Sequence, residues 1–356
     1  MRRSHVVRPA VVALLTMLAV LLSVSPASAH SVAGAGSTNF RTVLHPSALP
    51  PGVRLTVVEN GSRLELRNTS PSEVVVQGYT GEPYLRVGPS GVHENRQSPA
   101  TYLNADRYGR IEVPAGVGAR KAPVWRKVSG DPVARWHDHR IHWMSGRLPP
   151  AVISAPDSFH RIAAWTVVLE QGGLRTAAEG ELHWVPGPSP WPYAAVGVLL
   201  FAGTVALTWL RRPLRLLAAA ALALAVLDVW HSALISATVA GTSGDKVNTF
   251  VTGNWGQLPC WAALVIGGFL LLRSRSDGIW PAATAGPVVA SLSGLADIGV
   301  LWRSSAPFAG PDWLDRAQVL LISALGFGLL VALPLLLRRE LRARRTSEEA
   351  GDAPAT

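Results

Sequence analysis

The chain predicts an all-β, immunoglobulin-like sandwich ectodomain followed by an α-helical membrane bundle of five helices. Three observations carry that expectation: a basic amino terminus ahead of a short apolar run, a polar stretch of short alternating segments punctuated by turns, and five uncharged apolar runs behind a proline-rich linker. The composition agrees. Of 356 residues 48% are hydrophobic and 16% charged, against about 25% charged in an ordinary soluble domain. The 33 Gly and 27 Pro follow no three-residue period, so a collagenous chain is excluded.

Arg2, Arg3 and Arg8 precede the apolar run Val11 to Val24, which ends at Pro26 and Ala27-Ser28-Ala29. That small-x-small end is a signal-peptidase pattern, and the run is too short to span a bilayer. Residues 1–29 therefore read as a signal peptide whose removal leaves His30 as the new amino terminus. With the single Cys260 no intramolecular disulfide can form, so the exported part must be held by packing or metal.

Residues 30–187 read as the β-sandwich. Val53 to Val58 and Arg63 to Arg67 alternate, and Glu59-Asn60-Gly61-Ser62 between them carries the Asn-Gly signal of a hairpin turn. Glu73 to Gln77, Ala163 to Glu170 and Glu179 to Val185 are further strands, with Gln171-Gly172-Gly173 turning the chain between the last two. Gly88 to Pro150 is less regular and reads as long loops, where function usually sits on a rigid scaffold.

Residues 188–192 form a stiff Pro-rich linker, since proline blocks both helix and ladder. Residues 193–337 hold the five apolar runs: Tyr193 to Leu210, Leu216 to Ile235, Leu258 to Leu272, Ile279 to Trp302 and Ala317 to Leu337. Arg211, Arg212 and Arg215 follow the first run, Arg273 and Arg275 the third, and Arg338, Arg339, Arg342, Arg344 and Arg345 the fifth. These positions put the ectodomain outside and residues 338–356 in the cytoplasm as a tail. The formal charge of +10 is thus largely topogenic, and nucleic acid drops out as a partner. The bilayer is the partner the runs imply.

The densest chemistry is Trp136-His137-Asp138-His139-Arg140-Ile141-His142-Trp143-Met144. His137 and His139 share a face if this is a strand, a turn can bring in His142, and imidazoles with the Met144 thioether suit copper. His30 adds a candidate ligand, because a free terminal amine and its own imidazole chelate Cu(II). The bland alternative is a structural segment in which Asp138 and Arg140 pair and the histidines satisfy buried hydrogen bonds. A catalytic zinc is disfavoured because no Glu adjoins the histidines. Soluble-enzyme signatures such as Gly-x-Ser-x-Gly or a phosphate loop are absent, so the expectation is binding and transfer without catalysis.

Ionisable residues inside apolar runs are costly and informative. Asp228 and His231 share a helix face, and Asp297 lies in the fourth run. In the topology above His231 is about four residues, roughly 6 Å, from the outer end of its helix. Asp297 is about as shallow, and Cys260 opens the third run at the same level. Asp228, His231 and Asp297 read as a membrane relay, an outward-facing metal or proton site. The alternative is a set of interfacial residues reaching into headgroups.

Two resemblances follow from these residues. An exported sandwich opening on His30, coupled to several membrane helices, resembles the CopC and CopD copper-resistance proteins in architecture. That resemblance implies extracytoplasmic copper binding, with a copper transporter or chaperone as partner. The segments Gly78-Tyr79-Thr80-Gly81-Glu82-Pro83-Tyr84, Ser98 to Asn104, Trp136 to Met144 and Pro188-Ser189-Pro190-Trp191-Pro192 resemble a group of actinobacterial membrane proteins. This second resemblance implies an architecture and no activity. The expected function is extracytoplasmic binding and transfer of metal, copper first, by a membrane-anchored protein. The expectation from another class is an envelope assembly or interaction protein binding a protein or glycan, with Tyr79, Tyr84 and Tyr102 as contact aromatics.

Overall fold

The structure, a computed structural model, describes residues 36–351. The signal peptide, His30 and the last residues of the tail lie outside that range. The described residues divide into two compact units, a β unit running to Pro188 together with Arg303–Pro307, and a helical unit holding Ser189–Trp302 and the chain from Phe308 onward.

In the β unit, strands β1 (Phe40–Leu44), β2 (Val53–Val58), β3 (Arg63–Asn68), β4 (Val74–Gln77), β5 (Pro83–Gly88) and β6 (Gly91–Asn95) lead into a short helix α1 (Pro99–Leu103). Strands β7 (Trp125–Ser129) and β8 (Val133–Trp136), helix α2 (Pro150–Ser154), and the long hairpin β9 (His160–Gln171) and β10 (Leu174–Trp184) follow. They form two antiparallel sheets, a seven-stranded one in the order β1-β10-β9-β4-β5-β6-β7 and a three-stranded one in the order β2-β3-β8. Alternation explains the layering. Leu64 and Leu66 of β3 are fully buried, as are Val74 and Val76 of β4 and Val87 of β5, and side chains from both sheets share one apolar core. The expected β2–β3 hairpin is present, with Glu59, Asn60 and Gly61 all at positive φ in its turn. Gly180 in β10 is obligatory, since a Cβ there would lie 2.1 Å from the Trp165 ring.

The region expected to be loops contains β6, α1, β7, β8 and α2. Its strands are short and half-solvated, as in Trp125–Ser129, so their apolar alternation is weak.

The helical unit begins with α3 (Trp191–Ala206), prolonged to Trp209 by a 3₁₀ turn, and α4 (Pro213–Ser236). Then come α5 (Ser243–Gly253), α6 (Leu258–Leu272), α7 (Ile279–Val289) and α8 (Asp312–Gly351). Among the described residues three helices are long and apolar enough to cross a membrane, Trp191–Trp209, Pro213–Ser236 and Asp312–Ala343. A fourth crossing exists if α5 and α6, bent by 73° at their break, count together. The expected fourth run, Ile279 to Trp302, is not one helix. Pro287 removes a rung of the ladder, a π-helical turn occupies Ala290–Leu295, and a 3₁₀ turn closes the segment at Ile298–Leu301. The core joins Leu217, Leu224, Leu264, Ile279, Ile322 and Leu329, all fully buried. Small residues let these helices approach closely: a Cβ on Gly326 would lie 2.4 Å from the Gly286 carbonyl oxygen.

Candidate functional site

Each unit holds a buried polar centre built around histidine. In the β unit the strand stops at Trp136, and Asp138 opens a turn. Its carbonyl accepts the Ile141 N–H at 3.1 Å, and its carboxylate accepts the Arg140 N–H at 3.1 Å. Strand parity therefore does not apply to the histidines.

Asp138, fully buried, also takes the Arg140 guanidinium through both oxygens (2.8 and 2.7 Å) and the Trp136 indole N–H (2.9 Å). Burial alone would push its carboxyl up, but Arg140 and Trp136 outweigh burial and hold it below the usual carboxylate range. Arg140 in turn lies over the Tyr79 ring at 5.0 Å. The expected Asp138–Arg140 pair is thus formed, and it locks the turn.

The turn brings together two of the three histidines. The rings of His139 and His142 meet edge to face with centroids 5.7 Å apart. His139 Nε2 faces the Asp106 carbonyl at 3.0 Å and so carries the proton, leaving Nδ1 as the lone-pair nitrogen. Gly109, at φ +63, lies so close that a Cβ would come within 2.8 Å of the His139 ring. Neither ring nitrogen of buried His142 makes a hydrogen bond of good geometry, the Trp143 backbone being its polar neighbour. His137 differs. Its Nδ1 donates to the Ser62 carbonyl at 2.9 Å and its Nε2 accepts from Arg63 at 3.1 Å, so its ring is saturated.

Burial, reinforced by Arg107, pushes His142 down to about 3. Burial, reinforced by Arg63 and Arg107, outweighs the Ser62 carbonyl and pushes His137 down to about 4. Both rings are neutral at any ordinary pH. Met144 is half-buried two residues beyond His142. Among the described residues no group of three or more His, Cys, Asp or Glu side chains is arranged to hold a metal ion. Of the tyrosines expected as contacts, Tyr84 is buried and Tyr79 is half-buried, its hydroxyl bonded to Asn104 and accepting the His139 N–H.

In the helical unit, Asp228 and His231 on α4 are both fully buried. Asp228 accepts the Trp261 indole N–H at 2.6 Å, and the Gln257 amide, 3.5 Å away, also donates to Ser293 at 2.6 Å. His231 Nε2 lies 3.2 Å from Asp297, and Nδ1 lies 3.2 Å from Gln318 Oε1 and 3.7 Å from Asp315. The structure thus joins His231 to Asp297, gives Asp228 different neighbours, and adds Asp315 and Gln318. Both additions lie on the first two turns of α8, with Asp315 ahead of the apolar run from Ala317. Their signal was the shared helix face of Asp315, Gln318 and Ile322. Cys260 packs beside this core, with Sγ 3.7 Å from the Gly256 carbonyl.

The fold and these two centres define a class: an antiparallel β unit joined to a helical unit with helices able to cross a membrane, each with a buried histidine centre. No family model, curated protein or solved structure matches the chain.

Proposed function

We propose that this chain is a membrane-anchored extracytoplasmic protein that binds copper as Cu(I) and hands it on to a transporter or chaperone. The observation that carries the reading is buried His142, neither of whose ring nitrogens is well hydrogen-bonded, set against the free Nδ1 edge of His139. A buried imidazole in that state wants a ligand. Two rings 5.7 Å apart have the spacing that an ion held by one nitrogen of each requires, with metal–nitrogen bonds of about 2 Å. Burial holds the His142 imidazole far below its ordinary range, so protons do not compete for that ring. Arg107 favours a monovalent ion over a divalent one, and imidazole with the Met144 thioether suits Cu(I). His30, outside the described residues, is a further candidate ligand. His137 supports the turn through Ser62 and Arg63. The reading includes a β unit outside the membrane, immunoglobulin-like in kind, five crossings with the arginine-rich helix ends in the cytoplasm, and a likeness in plan to CopC and CopD.

The test is competition of the full chain in lipid nanodiscs against a chromophoric Cu(I) chelator, with Zn(II) in parallel. The expected outcome is Cu(I) binding that His142→Ala and His139→Ala each weaken by about tenfold or more, with Zn(II) weaker throughout. Failure of the unaltered chain to take Cu(I) from the chelator, or equal affinity in both variants, overturns the reading.

A further inference from the structure

His231 has no exposed surface, and oxygen atoms face both of its nitrogens. A neutral imidazole owns one N–H, which satisfies one side and leaves a lone pair against oxygen on the other. With the amide oxygen toward Nδ1 the ring is fully satisfied only with two protons, and with one it depends on which way the amide is turned. Nδ1 also has a choice of partner, the Gln318 amide oxygen at 3.2 Å or the Asp315 carboxylate at 3.7 Å.

Gln318 is built for both states. It is fully buried, and its Nε2 has no hydrogen-bond partner among the described residues. Nothing anchors that end of the amide, and the two ends are interchangeable in shape. With a proton on Nδ1 the amide oxygen accepts it; with a lone pair there, a half-turn presents N–H instead.

The backbone places these groups deliberately. The π-helical turn Ala290–Leu295 sets Asp297 just beyond it, facing α4, and such turns are frequent at functional sites. Gly294 fixes the turn against α8, since a Cβ there would lie 2.3 Å from Ser323 Oγ. The row is more open at one end: the Asp297 side chain is 20% exposed, against 0% for His231 and 5% for Asp315. The other groups about the ring are Asp228 on the same helix, which also neighbours Cys260, the Phe308 ring at 5.7 Å, and Asp312 and Arg316 beyond Asp315. Arg316 pairs with Asp312 at 3.8 Å and donates to the Val300 carbonyl. Two carboxylates sharing one buried imidazole give less stability than an apolar core would, and ionisable groups kept inside an apolar bundle mark ion or proton pathways.

We propose that Asp297, His231 and Asp315 form a proton relay in the helical unit, with Gln318 turning its amide to match the ring. A proton on Asp297 passes to Nε2 as the Nδ1 proton leaves for Asp315. Asp297 ends as carboxylate, Asp315 as carboxylic acid, and the ring stays neutral with its tautomer exchanged. The reverse passage resets it. The ligand is the proton alone, and the relay does not rest on the copper reading.

The test uses the full chain, copper-free, in lipid nanodiscs with ring-¹⁵N-labelled histidine. The His231 signal is assigned by its loss in His231→Asn or, should that variant not fold, by its through-space contact with Phe308. The expected result is exchange of the proton between Nδ1 and Nε2. Asp297→Asn and Asp315→Asn each slow it by about tenfold or more, and Asp312→Asn, whose side chain is 60% exposed, leaves it unchanged. A single fixed tautomer in the unaltered chain, or slowing in fewer than both of the first two variants, overturns the relay.

Discussion

The two buried centres balance their charges in opposite ways. In the β unit one carboxylate, Asp138, meets one guanidinium, Arg140, through both oxygens, and an indole N–H completes the shell. In the helical unit two carboxylates, Asp297 and Asp315, share one imidazole, and the nearer contact is a single 3.2 Å hydrogen bond. A matched, multiply bonded pair holds a turn in place. An unmatched set with alternative partners holds a proton whose position can change. The same residue types are thus scaffold in one unit and candidate machinery in the other.

The largest effect expected of that contrast lies at Asp138→Asn. The variant keeps the shape and strands the Arg140 guanidinium, which is largely withdrawn from solvent, so the β unit should lose about 3 kcal/mol or more. Hydrogen exchange of β3 and β9 in the full chain measures it. Unchanged protection would mean that the pair is not what locks the turn and would remove one side of the comparison.

A smaller effect follows from the neutral histidines. His137 and His142 titrate at about 4 and about 3 when folded and near 6.5 when unfolded. The unfolded chain therefore binds protons first as pH falls. The stability these groups contribute is complete above about pH 6.5 and is lost progressively down to pH 3 to 4, about 2 kcal/mol for each between pH 7 and pH 5. Asp138, held low by Arg140, keeps its charge over that window and adds no slope. Denaturant midpoints of the β unit at pH 7 and pH 5 should differ accordingly, and His142→Gln should remove about half of the difference. A flat profile in the unaltered chain would mean that the rings are protonated in the fold, which would also undercut copper binding.

Much of this was legible in the residues, unevenly and for physical reasons. Strong alternation with turn residues marked β2, β3 and the β9–β10 hairpin, and continuous apolar runs marked α3, α4, α6 and most of α8. The strands β6, β7 and β8 were hidden because short, half-wet strands carry little period. The break in the fourth apolar run depends on Pro287 and on packing around Gly294, neither of which changes hydropathy. Asp228, His231 and Asp297 stood out as ionisable groups within apolar runs, whereas Asp315 lay ahead of the fifth run and Gln318 is an uncharged residue at its very start, where polar side chains are common. The histidine cluster was visible as a cluster. That the turn at Asp138 pairs His139 with His142 and leaves His137 to Ser62 and Arg63 depends on where the strand ends, and spacing alone does not say.

The smallest stability change is expected at Asp315→Asn, and it separates the two centres most sharply. Asp315 is 3% exposed, and its Oδ1, 3.7 Å from His231 Nδ1, makes no hydrogen bond. Substituting asparagine keeps the volume and relieves a buried charge, while His231 retains both Asp297 and the Gln318 amide. Stability of the helical unit should therefore change by less than about 1 kcal/mol, read from hydrogen exchange of α4 and α8, even as tautomer exchange at His231 slows by about tenfold or more. The matched substitutions Asp138→Asn and Asp315→Asn then give opposite patterns, one costing the fold and the other costing only proton movement. A loss at Asp315→Asn as large as at Asp138→Asn would make Asp315 structural as well, and the distinction between a locked pair and a shared proton would fall.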